Sequence, residues 1–125
     1  AGHSNKAEGA HSFIGSGYAN VVTGLRGFIG AGRENQVIGE NSVVLGAYGV
    51  AQKKYSATFA FSQDVGRDNK CENTDAYSVK MCASNGLIVN DMHITDEISE
   101  LIAESDETSS IVALLASHAP SFKVG

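Results

Sequence analysis

The 125-residue sequence has no Trp, one Pro and two Cys, and only 7% of its residues are aromatic. Small residues predominate among its apolar 42%. A single copy could therefore bury little bulky side-chain volume, and a chain of this length covers only part of its own surface. The expectation is that part of the core is shared between subunits. Clustered basic residues are also lacking: the formal charge is −5, and Lys53-Lys54 is the densest positive spot. Neutralising a phosphate backbone needs grouped Lys and Arg, so nucleic acid is excluded as a partner. No segment approaches the roughly 20 apolar residues of a membrane-spanning helix, so no membrane insertion is expected. The beginning, Ala1-Gly2-His3-Ser4-Asn5-Lys6, does not read as a signal peptide. It reads as the interior of something longer. Cys71 and Cys82 lie eleven positions apart and match no zinc or redox spacing. They are compatible with a disulfide in an oxidising setting or with two free, partly buried thiols, the latter being the expectation.

What is present is glycine, 14 residues of it, at regular intervals. Ser12-Phe13-Ile14-Gly15-Ser16-Gly17 returns as Gly27-Phe28-Ile29-Gly30-Ala31-Gly32, more loosely as Ser42-Val43-Val44-Leu45-Gly46-Ala47, and in degenerate form at Ala57–Phe61. A second phase interleaves with the first: Lys6-Ala7-Glu8-Gly9, Val21-Val22-Thr23-Gly24 and Gln36-Val37-Ile38-Gly39. Each unit of about fifteen residues thus carries two short strands, and each strand ends in Gly: Gly9, Gly15, Gly24, Gly30, Gly39 and Gly46. At about 3.3 Å per residue such strands are too short to stand alone, and they gain stability by stacking on their equivalents in the next unit. Glycine suits tight corners and close backbone approach. Asn20, Asn35 and Asn41 fall near the corners, where Asn tolerates left-handed backbone. Phe13, Phe28, Val43 and Leu45 would fill a thin interior or face a neighbouring subunit. The fold class expected is mainly β, a parallel β-solenoid, and an antiparallel sandwich would not demand a fixed register.

These residues carry a resemblance. Asn41-Ser42-Val43-Val44-Leu45-Gly46 resembles the Asn-Ser-Val-Ala-Ile-Gly repeat of trimeric autotransporter adhesin heads. Lys6-Ala7-Glu8-Gly9-Ala10-His11-Ser12 is similar to repeats of phage and large-virus tail fibres. The resemblance covers residues 2–62 and implies a left-handed parallel β-roll that trimerises side by side. Gln52-Lys53-Lys54-Tyr55 departs from it by lacking the glycine, which marks the end of the array and a capping last unit.

Three regions are therefore expected: a repeat β-roll over 1–62, a polar connector over 63–75, and a trimer-capping segment over 76–125. The acids of the connector do not fit a calcium loop, which needs a central Gly and a final Glu. In the last region Ala76–Ala83 reads as a strand, Asn85-Gly86 as a hairpin turn, and Leu87 to Ile94 as its partner. Asn85-Gly86-Leu87-Ile88-Val89-Asn90 also resembles the short strand that follows repeat shafts in viral tail fibres. Thr95 then caps a helix whose apolar positions include Ile98 and Leu101, with Val112 and Leu115 further on. One polar-waisted helix and two short helices both fit. The break near Asp106 is preferred, because Ser105, Asp106, Thr108 and Ser109 favour caps over helix interiors.

Catalytic signatures are missing. No Ser lies in a nucleophile elbow, and Gly15-Ser16-Gly17 lacks the Lys and helix of a phosphate loop. His3, His11, His93 and His118 share no ligand spacing, although His3 and His11 could meet on adjacent units. No catalytic residue, metal or cofactor is expected. A hexapeptide-repeat acyltransferase, also a trimeric left-handed β-helix, would need a six-residue period. The expected function is a structural segment of a homotrimeric virion fibre, continuous with the rest of a longer fibre. It would attach to a host-surface glycan or receptor, with Tyr18, Tyr48, Tyr55 and the Phe residues available to stack on sugars. A bacterial trimeric autotransporter head at the cell surface is the alternative, and an isolated carbohydrate-binding module a third.

Overall fold

The structure, a computed structural model, describes residues 1–94. The expected helices from Thr95, with Ile98, Leu101, Val112 and Leu115, lie outside the described residues. Within them the regular elements are all strands: β1 (Lys6–Ala7), β2 (Phe13–Ile14), β3 (Val21–Val22), β4 (Phe28–Arg33), β5 (Gln36–Val37) and β6 (Val43–Ala47). Then follow β7 (Gly49–Ala51), β8 (Ala57–Phe61), β9 (Cys71–Asn73), β10 (Val79–Ala83), β11 (Leu87–Val89) and β12 (Met92–Ile94). The chain divides into two compact units, Ala1–Ser84 and Asn85–Gly125.

In the first unit successive strands alternate between two five-stranded sheets, β1-β3-β5-β7-β9 and β2-β4-β6-β8-β10. Every pairing in both is parallel. The register advances by 15 residues twice, as in Lys6↔Val21↔Gln36 and Phe13↔Phe28↔Val43. It then advances by 14 (Gln36↔Val50, Val43↔Ala57) and finally by 22 (Gly49↔Cys71, Ala57↔Val79). Period-2 alternation sends one side chain of each short strand between the sheets. Val22, Ile29, Val37, Val44 and Ala51 are fully buried there, with Ile14 packed against them.

That last 22-residue step corrects the expected boundary at residue 62. The missing glycine at Gln52–Tyr55 does not end the parallel pairing. Residues 62–70 form a longer excursion, after which β9 joins one sheet and β10 the other. The tail of the expected connector is thus a strand, and β10 pairs with β8 rather than folding back across Asn85-Gly86. The hairpin, which belongs to the second unit, is instead β11 against β12. Its turn is Asn90-Asp91, both left-handed at φ 48 and 65, the backbone that a tight two-residue hairpin requires.

The corners differ from expectation too. Of the six repeat glycines only Gly46 has positive φ. The other five are small for another reason: a Cβ on Gly9, Gly15, Gly24 or Gly39 would come within 3.0 Å of a carbonyl in the following repeat, and one on Gly30 would meet Leu45 Cδ2. Left-handed corners are taken by a column of His11, Arg26, Asn41, Tyr55 and Tyr77, and by Ser4, Ala19, Glu34 and Tyr48 in another. Asn41 sits as expected. Asn20 and Asn35 do not; they are buried, and their amides are stacked in an interior ladder. Asn5 Oδ1 accepts from the Asn20 backbone N–H and Nδ2, both at 3.0 Å. Asn20 Oδ1 accepts likewise from Asn35, at 3.1 and 3.0 Å. Asn35 Oδ1 accepts from the Gly49 N–H at 2.9 Å, which ends the series. Each Nδ2 also donates to a carbonyl of the next repeat, Asn20 to Gly32 and Asn35 to Gly46. A polar group so far inside is tolerable only when all of its hydrogen bonds are made.

Candidate interaction surface

The residues flanking the buried positions of β2, β4, β6, β8 and β10 must point away from the core. They form two columns on the outer face of that sheet. The first is Phe13, Phe28, Val43, Ala57 and Val79. The second, Leu45, Phe59 and Met81, runs beside it. Phe13 stacks on Phe28 with ring centroids 5.3 Å apart, and Phe59 on Phe61 at 6.0 Å. Neither column contains a charged residue. Several members are well exposed, Phe13 at 53%, Met81 at 41% and Val79 at 66%, as is Phe61 beside them at 56%. A contiguous apolar face of this kind on a soluble surface marks an interaction site more often than chance exposure does.

Phe13, Phe28, Val43 and Leu45, expected at a subunit contact, are therefore brought together on one face. Ala57, Phe59, Phe61, Val79 and Met81 join them and were not among the expected contact residues. Val79 and Met81 escaped because the array seemed to stop at residue 62. The overlooked signal is a Ser before the outward residue: Ser12-Phe13, Ser42-Val43, Ser56-Ala57 and Ser78-Val79. Ser42 and Ser56 are buried, and both hydroxyls donate to the Lys53 carbonyl, at 2.8 and 2.7 Å. This corner serine recurs more faithfully than the glycine does.

The outer face of the other sheet is of different chemistry. It carries Lys6 and Glu8 as an ion pair at 2.7 Å, with Gln36, Gln52 and Glu72 beyond them, interleaved with Val21, Ile38 and Val50. Gln52 Nε2 donates to Glu72 Oε2 at 3.2 Å. From the 62–70 excursion Arg67 reaches Glu34, where Nε donates to both carboxylate oxygens at 2.9 and 2.7 Å and Nη2 to Oε1 at 2.7 Å. These bonds lower the Glu34 pKa below its ordinary 4.5 and raise that of Arg67.

The corners between the faces hold the remaining aromatics. Tyr55 stacks on Tyr77 at 5.4 Å, with Lys54 Nζ 5.8 Å from the Tyr77 ring. Tyr18 lies 5.6 Å from the His3 ring, and the Arg33 guanidinium sits over Tyr48 while donating to its hydroxyl. Tyr18, Tyr48 and Tyr55, for which packing was expected ahead of sugar stacking, engage neighbours along their own corners. His3 and His11 belong to different columns, His3 bridging to Tyr18 and His11 in register with the Arg26 corner. Among the described residues no group of three or more His, Cys, Asp or Glu could hold a metal ion.

Cys71 and Cys82 form a disulfide with a Cα–Cα distance of 6.0 Å, so the expectation of free thiols is corrected. They are eleven apart in sequence, yet the final repeat places them on facing sheets, in β9 and β10. Comparison with known proteins returns nothing: no family model matches the chain, and neither a curated protein nor a solved structure matches it at a significant level.

Proposed function

We propose that this chain is a structural, non-enzymatic segment of a homotrimeric fibre on a virion surface, built as a left-handed parallel β-roll and used in host attachment. The observation that carries the reading is the pair of parallel ladders at 15-residue register with one uncharged, apolar outer face. Repeats of this kind make a rigid rod rather than a pocket, since each unit contacts only its neighbours. The face is neutral although the chain carries a formal charge of −5, so identical subunits can meet there without repulsion. Burying Phe13, Phe28, Phe59 and Phe61 between subunits supplies the bulky core that one copy lacks. Attachment to a glycan or receptor rests on the resemblance to tail-fibre repeats alone. The head of a bacterial trimeric adhesin has the same architecture and is the alternative parent.

Sedimentation velocity of the purified chain tests the assembly: the expected mass is about three times 13.0 kDa. A stable, folded monomer overturns the fibre reading. Binding to a glycan array tests attachment separately. Its absence removes the receptor role and leaves the structural one.

A further inference from the structure

The last repeat is built unlike the four before it. In register with the core positions Ile14, Ile29 and Val44 come Thr58 and then Lys80. In register with Val22, Val37 and Ala51 comes Asn73. Thr58 and Asn73 are buried, so the interior turns polar there, while Lys80 is exposed, and no residue of β9 or β10 belongs to the core cluster. Cys71, 1% exposed, is the one buried apolar side chain those two strands contribute. It stands where Asn5, Asn20 and Asn35 stand in earlier repeats, after the amide ladder has ended on Gly49. This repeat is also the longest, with the 62–70 excursion inside it, so ordering it costs more chain entropy than ordering its predecessors.

We propose that the Cys71–Cys82 disulfide is a redox-addressable clasp: it holds the final repeat closed, and thiol–disulfide exchange releases that repeat alone. In a stacked array the end unit has a neighbour on one side only, so it frays first unless something else secures it. Here the disulfide joins the two sheets within that last repeat. Cys82 is half-buried and Cys71 is buried, so an incoming thiolate attacks Cys82 Sγ. The Sγ–Sγ bond breaks, Cys71 leaves as a thiolate and takes a proton from solvent, and a mixed disulfide forms on Cys82. The second thiol of a dithiol then displaces Cys82 as a thiol, and the dithiol ends as its cyclic disulfide. Release of β9 and β10 bares the backbone edges of β7 and β8, which then become acceptors for another strand. The consequence does not depend on the oligomeric state.

Hydrogen exchange read by mass spectrometry tests it on the folded, oxidised chain before and after treatment with dithiothreitol, with thiol formation checked by intact mass. Amide exchange over residues 71–83 is expected to accelerate about a hundredfold, the scale on which closing a short loop shifts an opening equilibrium. Exchange over residues 20–47 is expected to stay unchanged. Unchanged protection of 71–83 in the reduced chain overturns the proposal, because the clasp is then redundant. Acceleration across the whole array overturns it as well, because the disulfide then supports the entire fold rather than its last repeat.

Discussion

The two sheets share a core, a register and a strand count, yet only one of their outer faces carries charge. One shows Phe13, Phe28, Val43, Leu45, Phe59, Val79 and Met81 with no charge among them. The other shows Lys6, Glu8, Gln36, Gln52 and Glu72 interleaved with Val21, Ile38 and Val50. The inner faces are set by folding, since the first four repeats put Val, Ile or Ala inward where they stack. The outer faces are free of that demand. Their difference therefore reports on what each meets outside the subunit: water for one, and in the proposed trimer another copy for the other.

Charge placed on each face separates the two most strongly. Phe28→Asp and Gln36→Asp sit on facing sheets of neighbouring strands, and both side chains point outward. If the apolar face is a subunit contact, Phe28→Asp buries unpaired charges and costs on the order of 3–5 kcal/mol, enough to dissociate the assembly. Gln36→Asp stays within about 0.5 kcal/mol. Sedimentation and thermal melts read both, and equal small effects would erase the distinction between the faces.

Next in size is a substitution beneath both faces. Asn35→Ala strands the Gly49 N–H and removes the side-chain donor to the Gly46 carbonyl and one of the two donors to Asn20 Oδ1 inside the array. A loss of about 3 kcal/mol in denaturant unfolding is expected, from several buried polar groups left unsatisfied. A near-neutral result would mean that water or the backbone replaces the ladder.

The smallest effect concerns the polar face alone. Glu34 has a folded pKa below its unfolded value, so its pairing with Arg67 adds stability above the unfolded pKa and loses it as pH falls through the folded one. Glu34→Gln should therefore lower stability slightly at neutral pH and flatten the acid limb below pH 4.5 by the same small amount, so that the two proteins converge in acid. An unchanged acid profile would show that the pair holds the excursion without titrating.

Much of this was legible in the sequence for a plain physical reason. Identical strands stacked in register must repeat their side chains, so Val22/Val37 and Ile14/Ile29 announce both the period and the buried columns. Phe13, Phe28, Val43 and Leu45 stood out by the same repetition, although the period alone left interior and outward placement both open. Three things were hidden. A seven-residue lengthening of the last unit broke the periodic signal, and with it went β9, β10, Val79, Met81 and the Cys71–Cys82 pairing. Asn20 and Asn35 look like turn residues because Asn usually is one, and only stacked neighbours reveal their buried ladder. The left-handed corners at Ala19, Tyr48 and Tyr55 carry no compositional mark, since the hydrogen bonding of adjacent repeats imposes them.

The change from Ile14, Ile29 and Val44 to Thr58 and Lys80 gives the array a direction in which it can evolve. A duplicated fifteen-residue segment inserted among the first repeats finds Val, Ile and Asn above and below it. It would fit there without any other change. The same segment inserted after Val79 would meet Asn73 and Lys80, and its apolar residues would find nothing to pack on. Growth is thus open on one side and closed on the other. Each copy gained or lost alters the length by one strand spacing, about 4.8 Å. Unequal recombination within these repeats would act on the array as a ruler, setting its length in increments of a single strand while leaving its stapled repeat untouched.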